Sequence, residues 1–510
     1  MNPHFHRASH NEYARPDPRL RVYARFDHVE VGDKSPDVLL AFDLVDARWL
    51  DAQGTRDPLF HPDGAVSKKA WDDWKRKRLW RTKNPFEFMP MYRLELEIPA
   101  ARGFFGEPPL HGFRQTNTLQ RAVGELEGKW FVLDIFSQQQ SGTDKASLYA
   151  GLFADPDTVY VSGRMPSTKK SAALASIFSL DHLPSLTTAE LVTELSGLSA
   201  DLLAVYDVGQ GNANALLTAQ QLPELYYDLG AGVYRNRRTT PAKLAFCFSQ
   251  EPTILLSHWD ADHWAGAYAT MNSNAYPALE RRWIAPLQPV GPLHIAFAHD
   301  VLKNSAGKFF TYSEKGTIGD VDLGQNRRAR FMLGSGPDRN CSGIVLTIEE
   351  PNHLPPRSWL LTGDCDYFYF SQALVPEDPV GLVVPHHGAD LDPGTQAPHP
   401  PPNVTYQRLV YSFGQGNQHG QTNVQHPTSR GMGVHKRALW SHQLWDPLIS
   451  GTPPSPSSDV RATYDHTPGV VPRGGTLIGW DAPPAIVIAP CRGQAAPCQG
   501  QTCNIPLTQT

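Results

Sequence analysis

The chain has 510 residues, 40% of them hydrophobic and 19% charged, with 46 Lys and Arg against 51 Asp and Glu for a net charge of −5. This length exceeds the roughly 250–300 residues that one core serves, so two domains are expected, and the apolar share is enough to bury both. The acidic balance excludes an overall attraction for nucleic acid, six cysteines over this length exclude a disulfide framework, and no run approaches the roughly 18–20 apolar residues of a membrane helix.

In chain order, Met1-Asn2-Pro3-His4-Phe5-His6 has no apolar signal core, so a soluble, cytoplasmic protein with no membrane partner is expected. Leu20–Phe26 and Tyr92–Ile98 alternate apolar and polar residues as half-buried strands do, and Trp130–Phe136 and Thr158–Ser162 add two more candidate strands. They predict a β-rich accessory domain over residues 1–199, of no recognised family, that would select a substrate or dock a protein partner. Within it, Ser67–Lys83 carries eight basic residues and three Trp against two acids. Lys68, Lys69, Trp74, Lys75, Arg76, Lys77 and Arg78 therefore form a candidate nucleic-acid surface, cations meeting phosphates and indoles stacking on bases. The preferred alternative is an exposed helix whose Trp71, Trp74 and Leu79 pack inward at helical spacing. Leu180–Ala200 reads as a short helical connection, with the domain boundary near Ser199.

Beyond it, five short apolar runs each end in polar residues. Leu202–Tyr206 leads into Asp207-Val208-Gly209-Gln210-Gly211, and Thr253–Leu256 into Ser257-His258-Trp259-Asp260-Ala261-Asp262-His263. Trp359–Leu361 leads into Thr362-Gly363-Asp364, Leu382–Val384 into Pro385-His386-His387-Gly388, and Arg408–Tyr411 into Ser412-Phe413-Gly414, with His426-Pro427 beyond. Strand ends hold ligands rigidly. Imidazoles and carboxylates together suit zinc, manganese or iron, and the H-x-D and D-H pairs can face two ions about 3.5–4 Å apart. Asp390–Asn403, rich in proline, would wall or cover the mouth. Gly475–Trp480 and Ala485–Ile488 can add closing strands, and Pro453–Ser458 belongs on the surface. Cys247, Cys341 and Cys365 read as core residues, whereas Cys491, Cys498 and Cys503 fall in a polar tail over residues 491–510.

The order D-V-G-Q-G, S-H-x-D-x-D-H, T-G-D, P-H-H-G and a late H-P resembles the metallo-β-lactamase superfamily, and within it the hydrolase domain of the competence DNA-channel proteins and their free-standing relatives. The likeness spans about Leu202–Thr428 and implies an α/β fold, an αββα sandwich over residues 200–490. It implies two divalent metal ions, Zn or Mn: His258 and Asp260 hold one, Asp262 and His263 the other, and Asp364 bridges them. A later histidine matches His386 or His387, and the residues do not choose between them; His386 is taken as the ligand. Asp260 stands where most of the superfamily has His, which shifts preference from zinc toward manganese or magnesium. Asp207 and Asp228 would support the loop, while Asn340 and Ser342 stand where other branches place another histidine. The implied chemistry is attack by a hydroxide activated between two metals, with Asp262 central and His387 or His426 giving a proton to the leaving alkoxide.

The leading expectation is thus a metal-dependent phosphodiester hydrolase, a nuclease. One alternative is a small-molecule hydrolase acting on a cyclic nucleotide, thioester or lactam. Another is a partner-gated component of a multi-protein bacterial system whose N-terminal domain is the interaction module.

Overall fold

A computed structural model describes residues 1–6, 19–31, 37–110, 116–241, 244–269, 276–370, 373–374, 378–402, 404–419, 424–440, 460–463, 475–482 and 484. Pro453–Ser458, Ala485–Ile488 and the 491–510 tail lie outside them. The chain forms two compact units, one of Met1–Pro184, Leu287–Phe309 and Gln418–Val424, the other of Ser185–Pro286, Phe310–Asn417 and Gln425–Thr510. The division thus falls before the expected Ser199, because Leu191 and Leu195 of the helix Thr188–Leu195 are buried in the second unit's core. The first unit also draws on two later segments that a single boundary could not supply.

The first unit is built on a closed antiparallel barrel, with strands in the order Arg19–Val31, Asp37–Asp46, Met91–Pro99, Asp144–Tyr149, Asp157–Arg164 and Trp130–Phe136. Val22, Ala24, Phe42, Leu44, Leu94, Leu96, Leu133 and Val161 fill its core, each strand giving alternate residues. Asp63 caps the helix Gly64–Arg76 by accepting from Ala65 N at 2.9 Å. Its Trp71 and Trp74, one helical turn apart, are both 2% exposed. The stacking surface expected to include Trp74 is therefore corrected: that indole is core. Lys75 Nζ donates to Leu183 O at 2.7 Å, whereas Lys68, Lys69, Lys77 and Arg78 are exposed and Arg76 pairs with Asp73. Leu79, expected inside, is exposed and Trp80 takes the buried place.

The later segment Leu287–Phe309 brings the helix Pro292–Asn304, buried over nearly its whole length. Asp300 accepts from Asn84 Nδ2 at 2.6 Å, Lys303 pairs with Glu87 at 3.0 Å, and His299 Nε2 meets His182 Nε2 at 2.8 Å beside the Trp71 ring. His294 Nδ1 lies 3.2 Å from Asp43, itself paired with Arg93.

The second unit is mixed α/β. An eight-stranded sheet includes Leu202–Val205, Ala213–Leu217, Pro223–Leu229, Thr253–Leu255 and Trp283–Pro286 side by side, and a seven-stranded sheet includes Ile344–Glu350, Arg357–Leu361, Gly381–Val383, Arg408–Tyr411 and Val460–Ala462. Leu203, Leu225, Leu255 and Ile284 from the first sheet share one core with Leu346, Leu361, Val383 and Val410 from the second. The other side of the second sheet, through Val345, Leu360, Leu382 and Tyr411, packs with Met432 and Val434 of the helix Ser429–Arg437. Tyr227 Oη donates to Ile344 O at 2.6 Å and ties the sheets together. Among the described residues no helix is long and apolar enough to cross a membrane.

Candidate metal centre

Parallel pairing runs from Pro223–Leu229 through Thr253–Leu255 to Trp283–Pro286, and from Arg357–Leu361 through Gly381–Val383 and Arg408–Tyr411 to Val460–Ala462. All these strands run the same way within each set, so their carboxyl ends share an edge, where open α/β sheets form their crevices. The chain delivers Asp228, the 257–263 loop, Asp364, His387 and Ser412 there.

Asp364 is the hub. Its Oδ1 lies 3.1 Å from His263 Nε2 and 4.0 Å from His387 Nε2, and its Oδ2 lies 3.7 Å from both His258 Nε2 and His386 Nε2. Asp262 reaches His387 Nε2 at 3.2 Å. His258, His263 and Asp364 form one group, and Asp262, His263 and His387 another, whose ligand atoms lie within 4.8 Å of one another and could hold a metal ion. Of the two neighbouring histidines, His387 is 3% exposed and stands in such a group, while the side chain of His386 is 27% exposed. Between His386, expected as ligand, and His387, expected as proton donor, it is thus His387 that stands among the candidate ligand atoms. Both occupy the left-handed region, at φ 48° and 53°, and the sharp turn aims them in different directions.

Each buried imidazole is held from behind. His263 Nδ1 donates to Asp228 at 2.8 Å, His258 Nδ1 meets Ser257 Oγ at 3.0 Å, and His387 Nδ1 donates to Ser412 O at 2.7 Å. Asp228 also accepts from Ser257 N at 2.6 Å, Ser257 Oγ at 2.8 Å and Asn212 Nδ2 at 3.1 Å. Such supports fix ring direction and tautomer and raise ligand basicity. The opposite nitrogens of His258, His263 and His387 are buried and face carboxylates, His263 meeting Asp364 at 3.1 Å, His387 meeting Asp262 at 3.2 Å and His258 lying 3.7 Å from Asp364, so their charges converge on one point. Imidazole nitrogens and carboxylates packed this closely form a donor set that a divalent cation would satisfy together.

Protonation in the metal-free protein points the same way. Burial pushes the Asp364 carboxyl up, yet His263 and the surrounding imidazoles outweigh it and hold it well below the usual carboxylate range. Burial pulls His263 down, yet Asp364 and Asp228 raise it well above the imidazole range. Entering ions would displace those protons, as ligation to histidine requires.

The remaining expected residues are placed as follows. Asp207 is buried and accepts from Gly209 N at 3.0 Å at its strand end, while Asp228 is the carboxylate that contacts the histidine loop. Asn340 and Ser342 occupy a short turn leading into Ile344–Glu350. His426 is buried, its backbone held by Asn417 through bonds of 2.6 and 2.8 Å, and its ring centre lies 5.5 Å from that of His386. Cys365 packs into the core with Cys341 and Tyr367. The proline-rich segment is fastened rather than hinged: Asp392 N donates to Asp366, and Trp440 Nε1 donates to Pro398 O. Asp260, expected as a ligand, has Oδ2 3.7 Å from His258 Nε2 and Oδ1 3.0 Å from the Arg339 guanidinium. Sequence reasoning gave Arg339 no role, and nothing in its spacing signals one.

No protein-family model matches this chain, and no curated protein matches it.

Proposed function

We propose that the chain is a metal-dependent hydrolase of phosphodiester bonds, with the second unit a metallo-β-lactamase-type αββα sandwich. The observation that carries the metal is the convergence on Asp364 of three buried Nε2 atoms, each held through its other nitrogen. Asp262, His263 and His387 would hold one ion, His258 and Asp260 the other, with Asp364 between them. Divalent ions bound there would supply a water whose pKa is lowered to about 7 and would stabilise charge developing on the attacked phosphoryl group. The preference for phosphodiesters comes from the motif order and from the carboxylate at Asp260, an oxygen ligand suited to manganese.

The chain's own groups divide the work. Asp228, Ser257 and Ser412 orient the rings. With one nitrogen of His387 bonded to Ser412 O and the other facing Asp262, that residue has none left to pass a proton. The proton for the leaving alkoxide then falls to His386 or His426, which sit side by side at the edge of the cluster.

Elemental analysis of the purified protein, with manganese- and zinc-dependent cleavage of DNA, RNA and a generic phosphodiester, tests this reading, and Asp262→Ala is the control. Polymer cleavage lost in the variant supports a nuclease, and cleavage of the generic diester alone supports a small-molecule phosphodiesterase. A protein that takes up no divalent metal overturns the proposal.

A further inference from the structure

The two halves of the centre differ in charge. On the side of Asp262, His263 and His387 no cationic side chain other than the imidazoles is paired with the carboxylate among the contacts described. On the side of His258 the carboxylate of Asp260 already faces a guanidinium: Arg339 Nη2 lies 3.0 Å from Asp260 Oδ1, and the Arg339 side chain is 2% exposed. A guanidinium does not lose its proton, so this charge persists at every working pH.

Nor can it readily swing away. Its segment is pinned on both sides, with Gly336 N donating to Cys341 O at 2.8 Å, Gly334 N to Gly343 O at 2.7 Å and Ile344 N to Ser257 O at 2.8 Å. Asp338 holds the turn by accepting from Cys341 N at 2.8 Å. A side-chain carbon on Gly343 would come within 2.5 Å of Ser257 O, so this strand approach lies hard against the histidine loop. A buried arginine deprived of its carboxylate is costly, which further resists release.

We propose that Arg339 is a positioning residue that makes the two metal positions unequal, acting through Asp260. The ion held by Asp262, His263, His387 and Asp364 binds tightly. The ion on the His258 and Asp260 side must share Asp260 with a fixed positive charge, and it binds about tenfold or more weakly. This rests on the metal-centre reading above and adds to it which ion is resident and which is exchangeable.

Calorimetric titration of chelator-treated protein with Mn²⁺, and separately with Zn²⁺, tests it without reference to activity. The wild type is expected to take one tight ion and one weaker one. Arg339→Gln is expected to narrow the gap by strengthening the second event, while Arg339→Lys, which keeps the charge, preserves it. Asp260→Asn is expected to abolish only the weak event, and it decides the matter should Arg339→Gln fail to fold. Two equal ions in the wild type, an unchanged gap in folded Arg339→Gln, or loss of the tight ion in Asp260→Asn would each overturn the inference while leaving the metal centre standing. A wild type that binds no ion overturns both.

Discussion

Asp228 occupies the left-handed region at φ 64°, a conformation that Asn and Asp accept more readily than other side chains. Asp228→Asn therefore keeps the backbone and removes only the charge that holds His263 and Ser257. Metal affinity, read by calorimetry, should fall about 10–100-fold with little change in the fold. Gly230 answers to a different constraint, since a side-chain carbon there would lie 1.8 Å from Asp262 O. Gly230→Ala must displace the 257–263 loop, and denaturant unfolding should register a loss of about 2 kcal/mol or more. At this scale the sequence displayed the candidate ligands His258, Asp262, His263, Asp364 and His387 because they cluster at strand ends. It did not display Arg339, since pairing with Asp260 arises from tertiary approach between segments distant in the chain.

The elements that could be read were those whose burial follows a period. Met91–Pro99 alternates buried and partly buried positions along most of its length, and Trp71 and Trp74 share one face of their helix. Asp37–Asp46 is buried at every position between its ends, and Pro292–Asn304 at nearly every one, so neither shows a two-residue or a 3.6-residue stripe. The helix Gly64–Arg76 offers a direct check of which residues are structural. Trp74→Ala should cost about 3–5 kcal/mol in denaturant unfolding. Replacing exposed Lys68, Lys69, Lys77 and Arg78 together by Gln should change stability by no more than about 0.5 kcal/mol per residue.

The first unit buries several neutral histidines, which gives it a defined acid limit. Burial, only partly offset by hydrogen bonds to Met91 and Ala150, lowers His4 to about 3. Burial and nearby Lys75 lower His182 to about 3, and burial lowers His299 well below its ordinary value. Between about pH 6.5 and 3 the unfolded chain binds protons that the folded one refuses, so stability is full above that window and declines as pH falls through it. Each such histidine contributes up to about 1.4 kcal/mol per pH unit. His28 works in the opposite sense, because burial lowers it but Asp27 brings a net rise. Thermal unfolding followed from pH 7 to pH 5 should show the melting temperature falling, and a flat profile would refute the account.

The composition of that unit also bears on how the protein is made. Asn84, Glu87 and His182 find their partners Asp300, Lys303 and His299 only in a helix that is synthesised after all of Ser185–Pro286. At about 5–20 residues per second, a ribosome leaves the emerged barrel without that helix for on the order of ten seconds. During that interval the emerged first unit lacks the buried helix that completes it. A fragment ending at Pro184, expressed alone, should stay in that unfinished state and aggregate, while the same residues in the intact chain fold.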